Sequence, residues 1–131
     1  GMGAVREFID GVRAVRLLAR AGAASERGDH EAALAAYRRV AALRGAGLEV
    51  RAMGLAGAGY EAAVLRRYGE AADRCREALD AVATVAAPQV FRREWAVGLR
   101  ELEQHCRAAV RDPAGLVGRA LPWRPGPVGK A

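Results

Sequence analysis

Gly28-Asp29-His30-Glu31-Ala32-Ala33-Leu34-Ala35-Ala36-Tyr37-Arg38-Arg39-Val40 returns further along the chain as Arg67-Tyr68-Gly69-Glu70-Ala71-Ala72-Asp73-Arg74-Cys75-Arg76-Glu77-Ala78-Leu79. Laying His30 on Tyr68 places Ala33 on Ala71, Tyr37 on Cys75 and Val40 on Ala78, an offset of 38 residues (30 to 68). In each copy a turn is followed by small and apolar residues at helical spacing. A single helical hairpin cannot bury its apolar face alone and must stack on a neighbour, so repetition predicts a layered all-α fold.

Around this pair the rest of the chain reads as helix until residue 111. Val5, Phe8, Ile9, Val12, Val15, Leu18 and Ala21 or Gly22 fall at steps of three and four, one face of either one long helix or a short and a longer one divided at Gly11. Gly28 suits the left-handed end of that helix and Asp29 caps the next, about His30 to Leu43, with Ala33, Leu34, Tyr37, Val40 and Ala41 facing inward. Gly45-Ala46-Gly47 breaks the chain before a third helix, about Leu48 to Arg66, marked by Val50, Met53 or Gly54, Gly57, Tyr60 or Glu61, and Val64. Its Gly54, Gly57 and Gly59 each cost up to about 1 kcal/mol relative to alanine, tolerable where a neighbouring helix must come close. A fourth helix is expected from Tyr68 or Gly69 to Ala86.

Pro88 fits the first turn of a fifth helix reaching Arg111. Its apolar seam is Phe91, Trp95, Leu99, Leu102, Cys106 and Val110, with Arg92, Arg93, Arg100, Glu101, Glu103 and Arg107 on the outer side. Residues 112–131 hold Pro113, Gly115, Gly118, Pro122, Pro125, Gly126, Pro127 and Gly129, which predict an irregular tail. Its Leu116, Val117, Leu121 and Trp123 should dock on the body. The organisation is therefore a single helical domain over 1–111, with hairpins at about 12–43 and 48–86 and a capping helix at 88–111, followed by the tail.

Composition narrows the function classes. Hydrophobic residues make up 52% and aromatics 5%, so the core is built from Ala, Leu and Val. The net charge is +6 and Lys130 is the only lysine, a bias that fits a GC-rich coding genome. The arginines alternate with Glu and Asp along every helix, whereas a nucleic-acid footprint would cluster them. Cys75 and Cys106 stand at apolar helical positions, with no metal or disulfide spacing. No leader or membrane-length apolar run is evident, and a cytoplasmic protein is expected.

The residues resemble the tetratricopeptide repeat family, whose unit is a helical hairpin of 34 residues. Ala21, Gly28, His30, Ala33 and Val40 fill the family pattern in the first copy, with His30 in place of Tyr. Gly59, Arg66, Tyr68, Ala71 and Ala78 fill it in the second, with Arg66 in place of the turn Gly. The resemblance covers about residues 14–86 and implies a right-handed stack of antiparallel hairpins whose first helices line a concave groove. It places Leu18, Gly22, Ser25 and Glu26 from the first copy, and Met53, Ala56, Tyr60, Ala63 and Val64 from the second, along that groove. Such a lining is mostly apolar and lacks the basic clamp some members close on an acidic tail, so it suits an apolar or amphipathic segment of a partner protein. The chain's own fifth helix or tail could fill the same groove, and a homodimer is a further option.

No catalytic constellation emerges. His30 sits at the repeat turn as a packing residue. His105 and Cys106 are neighbours on a helix and point about 100° apart. Glu70, Asp73, Glu77 and Asp80 form a solvated face among arginines. The sequence is read as a non-enzyme without cofactor or metal. An accessory of nucleic-acid machinery, using the arginine-rich exterior, is the alternative.

Overall fold

The fold is described from a computed structural model, for residues 1–84, 93–116 and 118–126. It is all-α: α1 (Met2–Glu26), α2 (His30–Ala42), α3 (Leu48–Val64), α4 (Tyr68–Ala83) and α5 (Arg93–Arg111), with short 3-10 turns at Arg44–Ala46 and Pro113–Leu116. Each helix packs antiparallel on its sequence neighbours. Phe91, Arg92, Pro88 and Val117 lie outside the described residues, as do the last residues expected for α4.

The two turns of the repeated pattern match bond for bond. Asp29 N–H donates to Ala24 O at 2.8 Å, and Arg67 N–H to Ala62 O at 2.8 Å. Gly28 N–H reaches Ser25 O, and Arg66 N–H reaches Ala63 O, both at 3.0 Å. Both turns need a left-handed residue to close the helix end. Gly28 adopts it at φ 83°, and Arg66, where the pattern lacks glycine, still adopts it at φ 62°. Asp29 then caps α2 by accepting from Ala32 N–H at 3.2 Å.

The glycines of α3 decide how closely the layers approach. A Cβ on Gly54 would sit 2.7 Å from Ala41 N, and one on Gly57 would sit 2.3 Å from Tyr37 Cδ1. A Cβ on Gly59 would meet Cys75 Sγ at 2.8 Å on the opposite side. Thus α3 lies sandwiched between α2 and α4, and most of its residues from Ala52 to Ala63 are buried. Leu34, Val40, Leu99 and Leu102 are fully enclosed around it, each contributing about 1.5–3 kcal/mol.

Two expected faces are corrected. In α1 the buried residues are Asp10, Ala14, Leu17, Leu18, Ala21 and Ala24, while Val5, Phe8, Ile9, Val12 and Val15 are exposed. The helix continues through Gly11, and Asp10 turns inward because its carboxylate accepts from Gly45 N–H at 2.9 Å. In α5, Leu99, Leu102 and Cys106 are buried as expected, but Val110 is exposed and Ala109 takes its place.

Glu103, expected on the outside, is buried between α4 and α5. Arg76 donates to it at 2.5 and 3.1 Å and Arg107 at 3.0 and 3.3 Å, which offsets the cost of taking a carboxylate out of water. Burial pushes the Glu103 carboxyl up, and the hydrogen bonds and charges of the two arginines outweigh it, so it titrates below the ordinary value. A carboxyl depressed in the folded state stabilises fully above the unfolded pKa and loses that effect as pH falls through the folded one. Glu103→Gln is therefore expected to cost about 2 kcal/mol near pH 7 and less near pH 3. Urea unfolding at both pH values checks this, and an equal loss at both would count against the clamp.

Candidate functional site

The tail returns over the body. Trp123 lies on Gly98, where an added Cβ would be 2.4 Å from its Cδ1, and meets Trp95 edge-on with ring centroids 6.1 Å apart. Leu121 packs on the core beside it. This contact sends Arg124, Pro125 and Gly126 toward α1, where they close one side of a cleft of about 650 Å³. Leu18, Gly22, Ser25 and Glu26 of α1 form the other side, and Tyr60 of α3 joins them. These are five of the nine residues expected to line the groove.

The remaining four fall elsewhere. Ala56 and Ala63 are enclosed, at 1% and 2% exposure, and belong to the interior rather than to an open lining. Met53 and Val64 are half-buried away from the cleft. The helix that presents Tyr60 is gripped on both sides at its glycines, so much of its surface is spent on packing. Ala19, Ala23, His30 and Tyr37 complete the lining. His30 and Tyr37 were legible as repeat positions but carried no sign of facing a cleft. The tail's contribution had no periodic signal at all. The fifth helix packs on α4 and leaves the cleft open.

Beneath the cleft lies a buried acid. Glu61 is fully enclosed, and its Oε2 accepts from His30 Nδ1 at 2.7 Å, which places the ring proton on that nitrogen. Among the described residues its Oε1 has no hydrogen-bond partner. Burial first, then the Glu61 charge, pushes the Tyr37 phenol up to about 12. Tyr60 is raised by the same two causes in the same order, with Arg124 opposing. Both phenols therefore stay protonated at neutral pH, as hydrogen-bond donors at the cleft wall.

Other reactive groups are shielded. Burial pushes the Cys75 thiol up to about 12 and the Cys106 thiol up to about 11, so neither is a thiolate near neutrality. Burial, then Arg119, lowers His105. Among the described residues, no group of three or more His, Cys, Asp or Glu could hold a metal ion, and no helix is long and apolar enough to cross a membrane. On the exterior, Arg27, Arg38, Arg67, Arg74, Arg76 and Arg107 are each paired with a carboxylate.

Comparison of the chain with protein-family models, curated proteins and solved structures gave no match in any of the three.

Proposed function

We propose that the protein is a helical-hairpin interaction module that holds an amphipathic segment of a partner protein in the cleft between α1 and Tyr60. The observation that carries this reading is the cleft itself. Leu18 and Gly22 give it an apolar floor, the Tyr60 ring adds flat contact area, and Glu26 and Arg124 supply opposite charges at its rim. A segment with one apolar face and a polar margin matches that lining. In this reading the protein is a non-enzymatic cytoplasmic binder with no cofactor, in the manner of tetratricopeptide-like scaffolds. The nucleic-acid alternative would draw on the arginines outside these ion pairs and on the net charge of +6, and binding of that kind must weaken steeply with salt.

Gly22 offers a clean test. A Cβ there meets nothing within 4 Å among the described residues, so a large side chain enters the cleft rather than the packing between helices. Replacing a helical glycine should also stabilise α1 by up to about 1 kcal/mol. Gly22→Trp is expected to fold at least as well as the parent and to lose binding to peptides selected on the parent from a random display library. Peptides that bind Gly22→Trp equally well, or a selection that enriches none, would refute the cleft as the binding site.

A further inference from the structure

We infer that the outward face of α1 is an interface between two copies of this chain, joined as an antiparallel helix pair. Val5, Phe8, Val12 and Val15 are 59%, 73%, 38% and 60% exposed and follow one another at steps of three, four and three. That spacing is the narrow seam of a coiled coil, two apolar residues in seven. Asp10, Leu17 and Ala24, seven apart, are the inward residues, and at 3.6 residues per turn they stand on the far side of the helix from the seam. So α1 carries two apolar stripes, and the chain itself covers one of them.

Area and the symmetry of the seam favour a second copy. The exposed parts of the seam, with Met2 and Ile9 beside it, present roughly 600 Å², so a two-fold pair would bury about 1,200 Å², the lower end of a specific interface. The seam is symmetric about Asp10: in an antiparallel pair Val5 of one copy faces Val15 of the other, and Phe8 faces Val12. Near the axis, Ile9 would meet Ile9 on the arginine-bearing flank, where salt screens the like charges, and Gly11 would meet Gly11 on the other. A Cβ on Gly11 meets nothing within 4 Å, so this flank is open to close approach. Arg6, Arg13, Arg16 and Arg20 lie together on the opposite flank rather than on both sides of the stripe, as a helix lying in a membrane surface would prefer.

Sedimentation equilibrium of the full chain at about 50 µM should give twice the 13.8 kDa chain mass, with the dimer fraction rising as salt screens the positive charge. Val12→Glu is expected to halve the mass without changing the far-ultraviolet helical signal, because Val12 is outside the core. Val110→Glu, on the exposed side of α5, should remain dimeric. Oxidising a mixture of Val5→Cys and Val15→Cys chains should link one to the other, and neither alone should link to itself. A monomeric parent, a dimer that survives Val12→Glu, or self-linking of Val5→Cys would each overturn the proposal. A monomer that pellets with phosphatidylserine-containing vesicles at low salt would overturn it in favour of a membrane surface.

Discussion

Gly57→Leu is expected to lower the unfolding free energy by about 3 kcal/mol, and Gly57→Ala by less. The first atom of either side chain would lie 2.3–2.6 Å from Cδ1, Cε1 and Cγ of Tyr37, inside the van der Waals radius of a ring that is itself buried. Tyr37 cannot swing away freely, because its buried ring fills the layer between α2 and α3. Either the ring leaves its place or the helices separate, and the latter also loosens the contact at Gly54. Gly69→Ala is the matched control: its Cβ meets nothing within 4 Å, so the change should be neutral or stabilise by up to about 1 kcal/mol. Urea midpoints for the three variants decide the matter. A Gly57→Leu protein as stable as the parent would show that the helices do not depend on this close approach.

His30→Ala should be almost as damaging, at about 3 kcal/mol. Glu61 is enclosed and its Oε1 has no hydrogen-bond partner among the described residues, so removing the imidazole removes the donor that its carboxylate has. His30 is 27% exposed at its side chain, which keeps the estimate at the lower end of the range for broken buried pairs. Glu61→Gln separates charge from shape. It retains an acceptor for His30 and is expected to cost less, while removing one of the two causes that raise Tyr60. The Tyr60 phenol should then titrate closer to its ordinary value of 10.0, a downward shift visible by ultraviolet absorbance. If His30→Ala were neutral and the tyrosine titration did not move, Glu61 would not be acting as a buried charge.

These two sites also show how much of the molecule was readable in advance. The three glycines of α3 stood out from composition alone, because each carries a helix cost that close packing can offset. Which neighbour each one admits was not readable: Gly57 receives Tyr37 from α2, and Gly59 receives Cys75 from α4. His30 was recognisable at the repeat turn, but Glu61 shared its place in the pattern with Tyr60. Helical spacing does not distinguish them, since adjacent residues straddle the edge of the same face. The enclosed carboxylate is explained by the donor arriving from another helix. Glu103 is the same case between α4 and α5, with two arginines supplying the donors.

The groove residues divide along the same line. Leu18, Gly22, Ser25, Glu26 and Tyr60 border a cleft. Ala56 and Ala63 do not, because an alanine-rich helix packed on both sides leaves little of its surface free. The tail wall at Arg124 and Pro125 follows from Trp123 finding the space above Gly98, a long-range fit without local pattern.

The sequence by itself determined the helices, their turns and the repetition of those turns. These depend on local chemistry: Asp29 as a cap, Gly28 at a left-handed end, and Pro113 just past the end of α5 at Arg111, although a short 3-10 turn follows at Pro113–Leu116 where an irregular tail was expected. Arg66 shows how firm that local register is, since it takes the left-handed turn even without glycine. The tertiary structure alone decided which side of α1 faces the core. Both of its stripes are apolar, and the larger residues are on the outer one, so hydrophobicity would have chosen Val5, Phe8, Val12 and Val15. Packing chose Ala14, Leu17, Ala21 and Ala24 instead, because smaller side chains let α1 approach α2 closely and a buried Asp10 anchors the turn at Gly45.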